Sequence, residues 1–422
     1  MQKKLIDLSL MTATQLGITE ISLRHLKSAL YVFDYRNVTR AANKLNRSQT
    51  AVTKAVGELE AELGCILFDR SSVGMMPTVH GEALAHRVKL AAAEFDRAGA
   101  AYQRFVPGGR SYQSIPIFSM DISYKRLAAF VALFQARDIN EAAKLLGVTK
   151  AAIYNSVRQM EELLELELFE REPGGVSPTS FCAVLARHTK LAFAEIRHAL
   201  DDIASLDGVT SGQVAIGTLP YTRTYLTPKA INRLLSRHPQ LGVTTQEGPY
   251  NLMQAGLRSG DLDVIVGAVR PTEAGADFKT ETLIEDRLAV VARKGHPLTQ
   301  KKKIDFRDLQ NLEWVLPAVE TPSRRLFDET CRGYNMQTPE HAVQTSSQSM
   351  VRGLLLDSDR VALVSEHQIF YDRKAGLLEV LPVDLEDTYR PIGITLRAQT
   401  QPSPAASLFL EELRQVAEEL KR

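Results

Sequence analysis

The chain has 422 residues, with 51 Lys and Arg against 50 Asp and Glu, so its formal net charge at pH 7 is only +1. This length suggests about three domains, which bury ordinary hydrophobic cores without metal or disulfide support. Its three cysteines, Cys65, Cys182 and Cys331, lie far apart without CxxC spacing. That pattern excludes a secreted disulfide framework and favours a reducing, cytoplasmic location.

Segment 1–20 has only a short, broken apolar run and no small-residue cleavage site, so we interpret it as a loose leader rather than a signal peptide. No later stretch approaches the roughly 20 apolar residues of a membrane span. The nine histidines show no metal-ligand spacing, and the sequence has no nucleophile elbow, P-loop or dinucleotide fingerprint. The sequence therefore predicts no enzyme activity, no metal and no cofactor.

The first predicted helix begins near Ile21 and ends near Asn37. Its apolar residues recur at helical spacing and predict one buried stripe, formed by Leu23, Leu26, Leu30 and Phe33.

Residues 37–78 recur as residues 138–179, without a gap and at a constant offset of 101 residues. A fixed offset that preserves apolar, polar and turn residues together marks a duplicated structural unit. The surroundings of the two copies differ in charge. Segment 20–110 has 13 basic and 9 acidic residues, whereas segment 121–207 has 10 basic and 13 acidic residues.

Each copy predicts two short helices separated by a polar break. Asn37 is a favourable N-cap for the first of them, and Asp138 takes its place in the second copy, where Glu141 can close a capping box. The next helix begins at Ser48 and is expected to bury Ala51, Val52, Val56 and Leu59. Two short helices that cross through a tight turn, the second with a polar N-terminal face, describe a helix-turn-helix. The apolar pieces around Gly74 then predict a wing.

Segment 22–84 resembles, nearly position for position, the N-terminal winged helix-turn-helix of LysR-type transcriptional regulators. The shared landmarks are an AA pair, SQxAV, LExELG, LFxR and TxxGEAL. The second copy keeps AA, LFxR and PT but has Cys182 where the family usually has glycine. The resemblance and the polar helix starts together give the candidate DNA-binding residues: Arg47, Ser48, Gln49, Thr50, Thr53, Lys54 and Arg70, and in the second copy Thr149, Lys150, Tyr154, Asn155 and Arg171.

The second copy has two open interpretations. Its acidic surroundings oppose the approach of phosphate, which supplies most nonspecific DNA affinity, so it is either a second DNA-binding unit or a structural partner of the first.

Ala-rich segments after each copy predict long helices, and in the resembling family such a linker helix pairs antiparallel with its mate from another subunit. Between them lies a segment rich in Pro, Gly and Ser, which is expected to be flexible. A connection of about fifteen residues spans up to about 50 Å, which is enough to return the chain along its own first linker helix. We therefore hypothesise that the two linker helices pair within one chain.

From Gly212 onward, β-branched runs alternate with helical segments, which indicates βαβ units and a mainly parallel sheet. The runs GDLDVIVGAV, ARKGHPL and FLEELRQVAEEL resemble the effector-binding part of the same regulators, which has two periplasmic-binding-protein-like α/β lobes joined by crossing strands. The predicted domains are a leader (1–20), winged unit 1 (21–81), linker helix 1 (82–106), a loop (107–120), winged unit 2 (121–181), linker helix 2 (182–208), lobe I (212–290 plus 391–422) and lobe II (291–390).

Ligands of open α/β lobes bind at the carboxyl ends of strands, near helix N-termini. By the resemblance, three turns are the expected effector contacts, and Arg223 and Arg324 are candidates to bind a carboxylate or a sugar. The candidate effector-binding residues are Thr218, Pro220, Tyr221, Arg223, Thr321, Ser323, Arg324, Ser346 and Ser347.

The leading interpretation is a ligand-responsive transcriptional regulator of the LysR type. Its expected partners are double-stranded promoter DNA, a small-molecule effector such as a sugar or a carboxylate, and further copies of the chain in a dimer or tetramer. Two alternatives stay open at this point. One is a substrate-binding protein or enzyme built on the lobed domain, and the other is an architectural DNA-binding protein without a ligand.

Overall fold

A computed structural model describes residues 21–71, 74–270, 276–383, 385, 388–398 and 400–421, without the side chains of residues 70 and 71. The proposed leader, residues 1–20, lies outside this part of the chain. The chain forms two compact units, one of residues up to Ser211 with Ser259–Asp261, the other of Gly212–Arg258 and Leu262–Arg422. Among the described residues, no helix is both long enough and apolar enough to cross a membrane.

The N-terminal unit contains two copies of a three-helix, two-strand arrangement, each followed by a long helix. Its elements are α1 (Leu23–Tyr35), α2 (Val38–Leu45), α3 (Gln49–Leu63), β1 (Phe68–Ser71), β2 (Gly74–Pro77), α4 (Val79–Phe105), α5 (Tyr124–Ala136), α6 (Ile139–Leu146), α7 (Lys150–Leu164), β3 (Phe169–Glu172), β4 (Gly175–Pro178) and α8 (Ser180–Leu206).

Side-chain caps start the short helices where the sequence predicts them. The Asn37 side chain accepts a hydrogen bond from the Arg40 amide at 2.9 Å, and Ser48 accepts one from the Ala51 amide at 3.1 Å. Asp138 accepts from the Glu141 amide at 3.0 Å. The expected capping box is wrong, because the Glu141 carboxylate pairs instead with Lys144 at 2.7 Å.

Ala51 is exposed, contrary to the expectation that it is buried. The inward face of α3 consists of Val52, Ala55, Val56 and Leu59. Ala51 therefore belongs to the outer face of the helix.

The two copies repeat the same hydrogen bonds at the offset of 101 residues. In each wing a strand amide donates to the carbonyl that ends the first helix: Met75 to Arg36 at 3.1 Å, and Val176 to Arg137 at 2.9 Å. Glu60 accepts from the Leu67 amide at 2.8 Å, and its counterpart Glu161 accepts from the Leu168 amide at the same distance. The duplication therefore extends to individual hydrogen bonds.

Helices α4 and α8 pack antiparallel along their length. His80 near the start of α4 contacts Asp207 just after α8, with 2.9 Å between the Nε2 and Oδ1 atoms. At the other end, Tyr102 packs against Phe181 with 5.6 Å between ring centroids and donates a hydrogen bond to the Leu164 carbonyl at 2.7 Å. The end of α4 thus lies beside the second three-helix copy.

The segment between the copies is packed rather than flexible in its second half. Tyr112 covers Gly99 of α4 so closely that a Cβ atom at Gly99 would lie 2.2 Å from the tyrosine ring. The apolar residues after it are at most 6% exposed and join the core of the unit: Ile115, Ile117, Phe118, Met120 and Ile122.

The C-terminal unit is a nine-stranded mixed sheet covered by helices. Its elements are β5 (Gln213–Thr218), α9 (Leu226–Arg237), β6 (Gly242–Glu247), α10 (Tyr250–Ser259), β7 (Val264–Ala268), β8 (Phe278–Arg293), β9 (Trp314–Leu316), α11 (Pro322–Gly333), β10 (Val343–Gln344), α12 (Gln348–Leu356), β11 (Val361–Ser365), α13 (Phe370–Lys374), β12 (Leu378–Val380), β13 (Tyr389–Arg397) and α14 (Pro404–Leu420).

The strand order is β10-β9-β11-β8-β13-β7-β5-β6, with β12 also paired to β8. Parallel pairing holds for β5 with β6 and β7, and for β9 with β10 and β11, as the βαβ pattern predicts. Strands β8 and β13 run antiparallel to their neighbours. Strand β8 pairs with β13 over its first part and with β11 over its last part. It therefore connects two groups of strands with separate cores, here called the first lobe (β5–β7) and the second lobe (β9–β12).

Candidate DNA-binding surfaces and effector site

Helix α3 presents its polar N-terminal face to solvent. Gln49, Thr50 and Lys54 are exposed, and Thr53 is half-buried beside them. The Gln49 side-chain oxygen accepts a hydrogen bond from Thr39 of α2 at 3.3 Å, which fixes its direction. Lys54 is 78% exposed and only loosely paired with Glu58 at 3.7 Å. A cation and an amide on one accessible helix face can contact phosphates and base edges.

Arg47 is committed to a contact within the unit. Its guanidinium is 3.3 Å from the Asp121 carboxylate and 3.4 Å from the Ser28 hydroxyl. The side chain of Arg70 lies outside the part of the chain that the structure describes.

Helix α7 carries the matching face of the second copy. Thr149 caps it by accepting from the Ala152 amide at 3.2 Å. Lys150, Tyr154 and Asn155 are exposed, as is Arg171 in β3. Tyr154 is 46% exposed, so it is not part of the core and is accessible on this face.

Asp121 ties the second copy to the first, and sequence reasoning did not single it out. Its carboxylate pairs with Lys27 of α1 at 2.5 Å and with Arg47, while its backbone carbonyl accepts from Arg24 at 2.9 Å. A lone acidic residue at the predicted start of winged unit 2 gives no signal of this role. The contacts hold the start of the second copy against α1.

A buried ionic cluster lies between α4 and α8. Arg87 is 3% exposed and contacts Glu195 at 3.1 Å and Asp202 at 2.6 Å. Burial lowers the pKa of Arg87, but the two carboxylates outweigh it and raise that pKa above its ordinary value. Further along, His188 contacts Glu94 at 2.7 Å. Each pair joins α4 to α8. The cluster therefore favours the packing of α4 with α8 over the packing of either helix with the same helix of a second subunit.

Gly81, in the first turn of α4, allows this helix to approach the wing. A Cβ atom there would lie 2.1 Å from the Leu67 carbonyl oxygen. Cys182 occupies the equivalent position of the second copy, where its side chain is fully buried. The family's glycine is thus required in the first copy only.

Gly81→Ala is expected to destabilise the N-terminal unit by about 1–3 kcal/mol, because the added methyl group overpacks this contact. Urea unfolding followed by the helical circular dichroism signal checks it. Gly57→Ala in α3 is the matched control, since a Cβ atom there has no neighbour within 4 Å. Equal unfolding midpoints for both variants would contradict the steric argument.

The first of the three predicted effector turns is buried at the carboxyl end of β5. Thr218 and Tyr221 are 3% and 4% exposed, and Pro220 is half-buried between them. Arg223 donates to the Thr218 carbonyl at 2.8 Å and pairs with Glu247 at 3.3 Å. Burial lowers the pKa of Arg223. Its guanidinium therefore braces the turn from within the first lobe.

The second effector turn begins α11. Thr321 caps the helix by accepting from the Arg324 amide at 3.2 Å. Arg324 is 7% exposed, and its Nε atom donates to Asp328 at 2.9 Å. Ser323 accepts a hydrogen bond from Arg390. Arg324, like Arg223, therefore has a carboxylate partner in its own lobe.

The third turn, before α12, is open. Ser346 and Ser347 are exposed, and Ser347 caps α12 by accepting from the Met350 amide at 3.4 Å. Its hydroxyl also lies 3.1 Å from that of Ser349.

A buried polar cluster joins the lobes beside the first two turns, and the sequence does not predict it. Asp286 of β8 is 3% exposed; it accepts from Arg390 of β13 at 3.1 Å and from Ser365 of β11 at 2.7 Å. The Arg390 guanidinium lies 5.3 Å from the centre of the Tyr221 ring, and His367 meets that ring edge-on at 5.9 Å. Asp286 is flanked by other charged residues in β8, so the local sequence gives no sign that it is buried.

Burial shifts the protonation of this cluster toward neutral forms. It raises the pKa of Asp286, an effect that Arg390 and Ser365 reduce. Burial and the nearby Asp286 carboxylate also raise the pKa of Tyr221. Tyr221 therefore stays a neutral hydroxyl at physiological pH.

The three thiols are all protonated at neutral pH. Burial raises the pKa of Cys65 and Cys182, and it raises the pKa of Cys331 to about 11. Since the thiolate is the reactive form, these cysteines act as packed apolar groups.

A duplicated helix-turn-helix followed by an α/β domain defines a DNA-binding regulator that carries its own sensor domain. The family description "Bacterial regulatory helix-turn-helix protein, lysR family" matches residues 23–82 and again residues 124–183, and "LysR substrate binding domain" matches residues 207–418. The chain belongs to the LysR family of transcriptional regulators. It is a ligand-responsive DNA-binding protein and not an enzyme.

Relatives and solved structures agree with this assignment. The HTH-type transcriptional regulator GalR of Pseudomonas putida is 32% identical over 398 residues, which cover 94% of this chain and 98% of that protein. The HTH-type transcriptional regulator PcaQ of Agrobacterium fabrum is 28% identical over 299 residues, covering 71% of this chain and 96% of that protein. A full-length OxyR variant from Pseudomonas aeruginosa shares the fold, with a TM-score of 0.53 and 22% identity over 69% of this chain and 97% of that chain.

Proposed function

We propose that one polypeptide carries the pair of winged helix-turn-helix units that a LysR-type regulator otherwise assembles from two subunits. The observation that supports this is the antiparallel packing of α4 with α8, through Arg87 with Glu195 and Asp202 and through His188 with Glu94. The winged units, linker helices and lobes then correspond to the segments expected from the sequence. A dimer of the chain presents four winged units, and a tetramer presents eight.

In this proposal α3 is the DNA recognition helix of the first unit, and Gln49, Thr50, Thr53 and Lys54 contact the promoter. Arg70 is assigned to backbone phosphate by the resemblance, whereas Arg47 supports α3 through Asp121. Helix α7 and Arg171 contact DNA in the second unit. Because the chromosome is the partner, we place the protein in the cytoplasm.

Gln49→Ala should weaken binding to the promoter region upstream of the gene by about 1–3 kcal/mol, since a base-edge contact is lost. Lys54→Ala should weaken promoter binding, lower its salt dependence and relax the preference for guanine at one position, since a cation at a base edge is lost. Mobility-shift titrations at two salt concentrations separate these effects. The exposed Lys421→Ala, at the far end of the chain, is the control. Unchanged affinity in both α3 variants would refute α3 as the recognition helix.

The effector is proposed to bind between the lobes, at the turns that carry Thr218, Tyr221, Ser323 and Ser347. Supporting this is the convergence of Tyr221 from the first lobe with Ser365 and His367 from the second. Because Arg223 and Arg324 already have carboxylate partners, neutral hydroxyl donors such as Tyr221 are the better candidates for direct contact. Binding there would shift the balance between arrangements of the subunits on DNA, provided that the effector prefers one of them.

A thermal-shift screen of sugars and aromatic acids, read by the fluorescence of Trp314, tests the effector site. This residue is the only tryptophan in the sequence and is 1% exposed in the second lobe. A ligand at one hundred times its Kd should stabilise the domain by about 2.7 kcal/mol. Tyr221→Phe should reduce that shift and Tyr35→Phe should not. A shift that Tyr221→Phe leaves intact would place the site elsewhere.

A further inference from the structure

We infer that the two recognition helices specify unlike DNA half-sites, so that a single chain recognises a bipartite target that is not a palindrome. The inference rests on the proposed function, in which both winged units contact DNA. It concerns which DNA sequence the protein binds, and not whether the protein binds DNA.

The two helices place different chemistry at equivalent exposed positions. At the first position α3 has the amide Gln49 and α7 has the ammonium Lys150; five residues on, α3 has the ammonium Lys54 and α7 has the amide Asn155. Amide side chains pair with adenine through N6 and N7, whereas lysine donates to guanine O6 and N7. The amide and the cation have therefore exchanged places, which reverses the expected order of adenine and guanine contacts.

The positions between them differ as well. Thr50 offers a hydroxyl where Ala151 offers a methyl group, and half-buried Thr53 is replaced by the exposed ring of Tyr154. A methyl group contacts the methyl of thymine, whereas a hydroxyl hydrogen-bonds to any base. Helix α7 thus presents a more apolar surface to the groove than α3 does.

The supporting structure of the two helices is the same, so the difference is confined to the reading face. Ser48 and Thr149 cap the helices through the same bond, to the Ala51 and Ala152 amides. The wing bonds repeat at the constant offset. Each helix is therefore presented in the same way, and only the exposed side chains distinguish their targets.

The arrangement of the pair allows both helices to be used at once. Contacts at the two ends of α4 and α8 place the winged units at opposite ends of the helix pair. Each helix has 27 residues, which gives a length of about 40 Å. Half-sites one turn of DNA apart are separated by about 34–36 Å. The length of the helix pair therefore matches the spacing of two half-sites one turn apart.

The two winged units differ in charge, so they should contribute unequally to DNA affinity. The exposed Arg40 of the first copy corresponds to Glu141 of the second, and segment 20–110 has 13 basic and 9 acidic residues whereas segment 121–207 has 10 and 13. Because phosphate neutralisation supplies most of the sequence-independent affinity, the first unit should dominate binding strength. The second unit then contributes mainly to the choice between sequences.

Selection of the full-length protein against a library of random double-stranded DNA tests the inference. The wild type should enrich two unlike half-sites at a fixed spacing. A variant whose α7 face is converted to that of α3, by Lys150→Gln, Ala151→Thr, Tyr154→Thr and Asn155→Lys, should enrich two identical half-sites instead. All four positions are exposed, so the fold is preserved. The control is Arg158→Ala, on the exposed surface further along α7.

The outcomes are distinguishable. Identical half-sites for the wild type would overturn the inference and leave the proposed function intact. A single half-site, unchanged by the α7 conversion, would show that the second unit does not read DNA and would overturn the inference as well. Failure to enrich any sequence would refute the proposed function itself.

Discussion

Arg87→Met is expected to lower the free energy of unfolding of the N-terminal unit by about 3–5 kcal/mol, because it removes the cation between two carboxylates at a buried helix interface. Arg87 and Glu195 are each 3% exposed, so water cannot replace the lost partner. The variant should also lose high-affinity promoter binding, since α4 and α8 hold the two winged units in register.

Urea unfolding followed by two signals localises this effect. The helical circular dichroism signal should shift to lower denaturant, whereas the Trp314 fluorescence transition should not move. Lys89→Met is the matched control, because Lys89 pairs with Asp34 on the surface of the same helix, where both side chains are more than 40% exposed. Exposed pairs contribute about 0–1 kcal/mol. Equal midpoints for the two variants would show that the Arg87 cluster does not hold the helices together.

A compensating variant separates charge from packing. Adding Glu195→Gln and Asp202→Asn to Arg87→Met removes the two carboxylates that have lost the guanidinium and should recover much of the lost stability, since well-packed neutral groups can replace a buried ion pair. Recovery of the free energy of unfolding would show that Arg87→Met is destabilising because of the uncompensated negative charge.

Arg390→Met should destabilise the C-terminal unit by a similar amount, about 3–5 kcal/mol, because it leaves the Asp286 carboxylate buried without its guanidinium. Arg390 and Asp286 are 7% and 3% exposed. Arg293→Met is the control; its partner Asp359 lies at 2.8 Å, but both side chains are at least one-third exposed. Trp314 fluorescence is the measurement.

The loss in free energy of unfolding caused by Arg390→Met should depend on pH. Burial raises the folded-state pKa of Asp286, and removing Arg390 raises it further because the cation lowers it. A group whose pKa is raised on folding contributes stability at low pH and loses that contribution as the pH rises through the folded-state value. The difference between wild type and variant should therefore be largest at neutral pH and shrink as the pH falls toward the ordinary range of carboxyl groups. Constant cost across this range would rule out Asp286 as the cause.

The helix starts and the duplication could be predicted because both depend on local patterns. Asn37 and Ser48 cap their helices through hydrogen bonds to residues only three positions away. The prediction for Ala51 is wrong, since a small apolar residue carries little information about burial. The sequence around Phe118 predicts a flexible loop because its neighbours are rich in Pro, Gly and Ser, whereas the segment is packed.

The effector region was harder to predict because its contacts join distant parts of the chain. Asp286 and Arg390 are 104 residues apart, and Tyr221 comes from a third segment. The sequence points to Arg223 and Arg324 as ligand contacts since arginine suits carboxylates and sugars. The sequence cannot reveal that these two arginines already form ion pairs in the fold, with Glu247 and Asp328.

The antiparallel packing of α4 and α8 has a consequence for how the protein responds to its own abundance. Two helices in separate subunits associate by mass action, so dilution separates them. Helices of one chain, joined here through the second three-helix copy, instead meet at an effective concentration that dilution does not change. The DNA-binding pair should thus persist at a few molecules per cell, and occupancy of one bipartite site should rise with the first power of chain concentration rather than its square.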